Sequence, residues 1–248
     1  MSIRKSTILI FSLLIVLTIW RMPASVVKRF VEGASIVPFT LINTSGTLWK
    51  GNGEINTNEF PATSVSWSIP IVDILLLRPS VVWQLDTNDS SLKGKSSTSG
   101  LDVITSASGK IGSTLLNQFF LNYDIRLDGS VSIEHLLLVN DRSKSFSISR
   151  LDGLLIWSGG EITYLLAKTP VTIKSPLFEL EISDEKLGVI HAKLNNYNYN
   201  FPLLLASLTD RGKLNIKVTK AFTKIFGNEW PGSDSEDENV LELEEYIF

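Results

Sequence analysis

Short segments in which apolar and polar residues alternate dominate this sequence and restrict the folds open to it. The clearest segment is 177–182, in which Phe178, Leu180 and Ile182 share one face. The alternation recurs at residues 65–69, 81–85, 125–127, 131–133, 145–148, 171–173 and 214–218. Period-two segments at intervals of about 8–12 residues are typical of antiparallel sheet with one buried face. The sequence therefore predicts a mainly β fold, with a curled and mostly antiparallel sheet.

Three segments interrupt the alternation and are predicted as a few short amphipathic helices: residues 71–77, 111–122 and 201–208. The second segment carries large apolar residues at helical spacing, and Ser113 is a possible N-cap. These apolar residues are Leu115, Leu116, Phe119 and Phe120. Such helices would cover an open sheet, and buried loop turns are the alternative interpretation.

Glycine-led units form the second pattern, because glycine at the start of a strand permits a tight turn or a curl. Residues 45–55 (SGTLWKGNGEI) and 152–162 (DGLLIWSGGEI) share the order glycine, apolar pair, tryptophan, glycine and Glu-Ile. We interpret these two units as a repeat, which predicts two similar halves at residues 45–110 and 125–219.

Residues 7–20 form an apolar run broken only by Ser and Thr, with Arg4 and Lys5 before it and Arg21 after it. This layout is typical of a signal peptide or a signal anchor. The run is shorter than the roughly 20 residues that a spanning helix needs, but arginine side chains that reach outward extend it.

No small-residue cleavage site follows the apolar run, and Ala24-Ser25-Val26 is the nearest candidate. We therefore predict a single uncleaved transmembrane anchor over residues 7–22, with residues 1–6 in the cytoplasm. A cleaved signal peptide and a buried core helix are the alternatives.

Charge is distributed unevenly along a chain whose net charge is −3. Residues 1–30 hold five basic and no acidic residues, which suits an anionic membrane surface, whereas residues 229–248 hold eight acidic and no basic residues. The nearly neutral body between them argues against nucleic acid as a partner. We predict a β-rich domain over residues 31–226 and an acidic, disordered tail over residues 227–248. The end of the tail could instead add to a partner as a strand.

Residues that commonly carry chemistry are scarce in this sequence. It has no cysteine, which excludes disulfides, thiol nucleophiles and thiolate metal sites. Its two histidines, His135 and His191, lie in apolar alternating runs and are predicted to be ordinary strand residues. No catalytic triad order and no phosphate-binding glycine motif is present. We expect no enzymatic activity, no cofactor, no metal and no small-molecule substrate.

The order of short motifs along the chain is a further pattern. The segment SGTLWKG at residues 45–51 supplies Gly46, Leu48, Trp49 and Gly51. The segments that follow supply Trp67, Pro70, Leu76, Arg78, Gly153, Trp157 and Gly160. The order of these motifs after the apolar run resembles the type II secretion system protein N family. The resemblance covers roughly residues 1–220 and leaves the acidic tail outside. It implies that these motif residues are structural or contact a partner, and we expect Trp49 to be a core residue.

The resemblance also implies a context. The family is placed in the inner-membrane platform of the machine that exports folded proteins across the outer membrane. An accessory, single-pass inner-membrane protein with its main domain in the periplasm is implied, in contact with other secretion subunits and with inner-membrane lipid. The alternative is a lipid-handling β-groove similar to periplasmic proteins of the AsmA type. The two readings differ in whether the apolar face stays open after the helix around Leu116 packs.

Overall fold

The computed structural model describes residues 3–33, 40–57, 62–141, 148–166, 168–186, 188–228, 230–232 and 235–246. The chain divides into two compact units, Met1–Thr87 and Asn88–Phe248. This division falls inside the first of the two predicted halves. Strands hold more than half of the residues that the structure describes, so the predicted mainly β class is confirmed.

The first unit begins with two helices, α1 (Ile3–Trp20) and α2 (Ser25–Gly33). Four strands and one short helix follow: β1 (Thr40–Gly46), β2 (Lys50–Asn56), β3 (Thr63–Ser68), α3 (Ile71–Leu75) and β4 (Ser80–Asp86). Each strand pairs antiparallel with the next one in sequence. Helix α3 begins after Pro70, where the sequence predicted a helix.

The second unit contains most of the strands. Its first half has β5 (Ser91–Ser99), β6 (Asp102–Ile111), α4 (Ser113–Phe120), a 3₁₀ turn (Leu121–Tyr123), β7 (Arg126–Leu127), β8 (Val131–Asp141) and β9 (Ile148–Trp157). The remainder has β10 (Gly160–Leu166), β11 (Thr169–Ser175), β12 (Phe178–Lys186), β13 (Val189–Asn195), β14 (Leu204–Thr209), β15 (Lys213–Thr219), α5 (Lys220–Ile225) and β16 (Asn239–Tyr246).

Two antiparallel sheets organise the described strands of this unit. One has the order β5-β6-β8-β9-β12-β13-β14-β15-β16, and a second, smaller sheet has the order β11-β10-β7. The core lies under one end of the larger sheet, where Phe178, Leu203 and Ala221 are buried together. Of the eight alternating segments, the one at residues 145–148 lies outside the described residues except for Ile148, the first residue of β9.

The predicted helices met different outcomes. Residues 111–122 contain α4, in which Leu116 is buried and Phe119 is exposed. The helix predicted over 201–208 is wrong, because Leu204–Thr209 forms β14 between β13 and β15. A continuous apolar run suits a buried strand as well as a helix. Here Leu203 is fully buried, and its amide donates to the Leu194 carbonyl at 2.7 Å.

The two N-terminal helices meet at a turn around Pro23. The predicted anchor, residues 7–22, falls on α1 and the start of this turn. No helix in the described part of the chain combines the length and the apolar character that crossing a membrane requires. Helix α2, which the sequence analysis did not predict, packs Val27 against the buried cluster of Ala24, Leu41 and Trp67.

The acidic C-terminal segment is ordered over Asn239–Tyr246, which corrects the prediction of a disordered tail for these residues. They form β16 and add to β15 of the same chain. The Lys213 ammonium lies 2.8 Å from Glu244, and the Lys217 ammonium lies 3.2 Å from Glu242. The Asn215 amide donates to both carboxylates, at 2.9 Å to Glu242 and 3.2 Å to Glu244. Charge complementarity across the strand pair therefore favours this register.

Acidification is predicted to loosen β16. Hydrogen bonds from Asn215 and Lys217 lower the pKa of Glu242 below its ordinary value of 4.5, and those from Lys213 and Asn215 do the same to the pKa of Glu244. Carboxylates with lowered pKa stabilise the folded state above pH 4.5, and this stabilisation is lost as the pH falls through the lowered values. We expect hydrogen-exchange protection of β16 to decrease there before that of β8.

The variant E242Q/E244Q should show reduced protection of β16 near neutral pH and little further loss on acidification. The control E245Q changes a carboxylate on the same strand, opposite Leu214. It should keep the wild-type protection and the wild-type pH dependence. Equal protection of β16 in E242Q/E244Q and the wild type would contradict the prediction.

Candidate functional site

The first glycine motif forms the tight turn between β1 and β2. Gly46 adopts a φ of +90°, and a Cβ at this position would lie 2.6 Å from the Lys50 carbonyl oxygen. The same carbonyl accepts a hydrogen bond from the Thr47 amide at 2.9 Å. Only glycine fits this combination of positive φ and close backbone approach. Leu48 and Trp49 are thereby held at the tip of the hairpin.

Gly51 makes room for the indole ring of Trp67 on the neighbouring strand. The two residues face each other in the register of β2 and β3. A Cβ on Gly51 would lie 2.5 Å from Cζ2 of Trp67 and 2.8 Å from the Ser45 carbonyl oxygen. Trp67 is 8% exposed, and its Nε1 donates to the Leu48 carbonyl at 3.1 Å. The Trp67 indole therefore packs against the hairpin of β1 and β2 and stabilises it.

The hairpin tip is hydrogen-bonded to the end of α1 and the start of α2. Trp49 Nε1 donates to the Ile19 carbonyl at 3.0 Å, and the Leu48 amide donates to the Met22 carbonyl at 2.8 Å. The Ala24 amide donates to the Gly46 carbonyl at 3.1 Å. Trp49 is only half-buried. The expected core role thus belongs to Trp67, whereas Trp49 joins the sheet to helix α1.

Pro70, Leu76 and Arg78 lie on or beside α3, in the same unit. The amide of Ile69, just before Pro70, donates to the Trp49 carbonyl at 2.7 Å. An open hollow of about 500 Å³ is lined by Trp20, Arg21, Thr47, Trp49, Lys50 and Ile71. Leu76 and Arg78 are exposed. The structure therefore brings the hairpin motif residues, but not Leu76 or Arg78, close to one end of α1.

The remaining three motif residues belong to the second unit. Gly153 lies in β9, where a Cβ would meet the Leu136 side chain at 2.9 Å. Trp157 ends β9 and packs against the buried cluster that contains Phe178. Gly160 has a φ of +146°, and a Cβ there would lie 1.6 Å from the Asp128 carbonyl oxygen. This glycine lets the chain pass from the larger sheet into β10 of the smaller one.

The two segments that resemble each other in sequence adopt different local structures. Residues 45–55 form a strand, a turn and a second strand, with Trp49 in the turn. Residues 152–162 cover most of β9 and the start of β10, with Trp157 at the end of a strand. The shared order of residue types therefore does not correspond to a shared local structure.

Sequence reasoning missed the partners of the first motif. These are Ile19, Met22 and Ala24, which contribute backbone groups and, for Ala24, a small buried side chain. The signal available in the sequence was the small residue Ala24 after Pro23, a few residues beyond the apolar run.

The histidines lie in strands, as the alternation predicted. His135 in β8 is exposed, with Nε2 at 3.5 Å from Asp152 Oδ1, and His191 is in β13 opposite Ser183 and Ser207. Within the described ranges, no group of three or more His, Cys, Asp or Glu residues is arranged to hold a metal ion. The glycine and tryptophan residues of the motifs make packing contacts and hydrogen bonds to the backbone.

Comparison with protein-family models, with curated proteins and with solved structures gave no match for this chain. The family resemblance therefore rests on the order of the motifs alone.

The substitution Gly51→Ala is predicted to destabilise the first unit. The new methyl group would overlap the Trp67 indole and the Ser45 carbonyl, and overpacking of this kind typically costs about 1–3 kcal/mol. Gly53→Ala is the matched control, because its Cβ would meet its nearest atoms only at 3.2 Å. Thermal unfolding followed by tryptophan fluorescence should show the larger decrease in midpoint for G51A. Equal midpoints for the two variants would refute the assigned role of Gly51.

Proposed function

We propose that this protein is an accessory inner-membrane component of a type II protein secretion system. It would act through non-covalent contacts in the periplasm that support the export of folded proteins across the outer membrane. The observation that carries the proposal is the order of the motifs at residues 45–51, 67–78 and 151–160 behind a basic, apolar N-terminal segment. Its physical support is that the first motif couples a sheet to the end of helix α1.

The surface of α1 supports attachment to the membrane. Exposed large apolar side chains occur at Ile10, Phe11, Leu13, Leu14, Ile15, Leu17, Ile19 and Trp20. At 3.6 residues per turn, these positions occupy all but about 100° of the circumference of the helix. A helix that is apolar over most of its circumference needs an apolar environment. We therefore propose that inner-membrane lipid surrounds α1 and that the β-rich part lies on the periplasmic side.

Contacts with other secretion subunits are assigned to exposed edges of the sheet. Strand β16 is last in its sheet and carries the exposed side chains Leu241, Leu243 and Tyr246 between its acidic residues. An edge strand with exposed backbone groups can accept a further strand from a partner. The acidic side chains would restrict that partner to a basic segment.

Lipid handling is the second candidate function, and incomplete burial of the sheet favours it. All residues of β13 and β14 are half-buried. Helix α4, which was predicted to cover an open sheet, lies against β7 of the smaller sheet, buries Leu116 and leaves Phe119 55% exposed. A half-covered apolar face of this kind suits a lipid chain, as in a periplasmic β-groove protein of the AsmA type.

Deletion of the gene is predicted to separate the two candidates. We expect the secreted enzymes to decrease in the medium while their folded forms accumulate in the periplasm, because contacts within the secretion platform are lost. Complementation with wild-type protein should restore secretion, and complementation with the Gly51→Ala variant should restore less than the Gly53→Ala control. Unchanged secretion together with increased detergent sensitivity would instead favour lipid handling.

A further inference from the structure

Four large apolar side chains are exposed within six residues at α3. Val72, Leu75, Leu76 and Leu77 are 64%, 76%, 65% and 88% exposed, and we call these four residues the α3 patch. Single exposed apolar residues are ordinary, but a contiguous group of this size marks an interaction surface. Leu77 also has a φ of +57°, which is uncommon for a residue other than glycine. The backbone therefore adopts an unfavourable conformation at Leu77 while all four side chains stay exposed to solvent.

Local hydrogen bonds hold the patch in this conformation. The Asp73 carbonyl accepts from the Arg78 amide at 2.9 Å, and the Asp73 carboxylate accepts from the buried Ser80 hydroxyl. The Leu77 amide donates to the Ile74 carbonyl at 3.0 Å. Asp73 is the only acidic residue in 71–78, and its carboxylate turns toward Ser80. These hydrogen bonds fix the backbone of residues 71–78 and turn the Asp73 carboxylate inward. The exposed surface of α3 is therefore apolar, and Arg78 follows it in sequence.

The start of α3 lies beside the end of α1. Ile71, the first residue of α3, lines the same hollow as Trp20 and Arg21 from α1 and Trp49 and Lys50 from the hairpin. Trp20 is 59% exposed. Tryptophan and basic residues at the end of an apolar helix are the side chains that favour the membrane–water interface. Because these side chains lie next to the α3 patch, we expect the patch to face the membrane–water interface as well.

We propose that the α3 patch inserts into the interfacial layer of the same anionic bilayer that holds α1. The leucine side chains would enter the boundary of the acyl chains, and Arg21, Lys50 and Arg78 would meet the lipid phosphates. The proposal rests on the proposed attachment of α1 to the membrane. Lipid is the occupant because the patch continues the apolar and tryptophan-bearing surface of α1 and has basic neighbours. With both α1 and the α3 patch in the membrane, the first unit could not rotate freely about the axis of α1. Attachment through α1 alone would permit this rotation.

Single-cysteine labelling tests this proposal without interference, because the chain has no cysteine of its own. The full-length variants L14C, L76C and L101C would each carry an environment-sensitive fluorophore. They would be reconstituted into vesicles of phosphatidylethanolamine and phosphatidylglycerol, with or without nitroxide-labelled lipid. Leu14 reports on α1, and Leu101, 65% exposed in the turn between β5 and β6, is the matched control.

We expect blue-shifted emission and quenching by the labelled lipid at positions 14 and 76, and neither effect at position 101. Replacing phosphatidylglycerol with phosphatidylcholine should weaken the quenching at position 76 and leave that at position 14 unchanged. Quenching at 14 but not at 76 would overturn the proposal and leave membrane attachment intact. No quenching at either position would overturn both. Blue-shifted emission at 76 without quenching would mean that protein covers the patch, which would also refute the proposal.

Discussion

Hydrogen bonding between antiparallel strands that are close in sequence carries most of this structure. Each of the strands from β12 to β15 pairs with the strand that follows it, and in the first unit β1 to β3 do the same. Only nine hydrophobic side chains are buried in the described part of the chain, so a buried core adds little to the stability that the hydrogen bonds between strands provide. A ladder is specific only while its register holds. Gly46, Gly51 and Gly160 preserve it where the chain turns or changes sheets, because any side chain there would push the backbones apart.

The sequence predicted the strands whose alternation reflects a half-buried face, such as β3, β4, β12 and β15. It did not predict β2, because the residues of β2 are mainly small and polar and the strand forms by pairing with its neighbours. β14 was mistaken for a helix, since an apolar run has no diagnostic period. β16 resembles a disordered tail when taken alone. Its acidic residues become favourable only beside Lys213 and Lys217 of β15, which are distant in sequence.

The candidate site was predicted in part for a related reason. Glycine and tryptophan identify Gly46, Gly51 and Trp67 because their size and conformation are unusual. The groups that accept hydrogen bonds from the hairpin are the carbonyls of Ile19 and Met22, and every residue type has the same backbone carbonyl. The exposure of Leu76 could not be predicted from the sequence either. An apolar residue in a short helix is expected to face inward, and only the fold shows that it faces outward.

The two units expose apolar side chains beside charges of opposite sign, so the contacts proposed for them involve different partners. In the first unit, apolar exposure on α1 and α3 occurs beside Arg21 and Lys50, a combination that anionic lipid attracts. In the second unit, β16 combines exposed apolar residues with carboxylates, which anionic lipid repels. Charged residues on an edge strand also discourage unspecific pairing between copies of the protein. The same electrostatic rule that would hold α3 at the membrane would therefore keep β16 away from it, and would leave that edge for a basic protein segment.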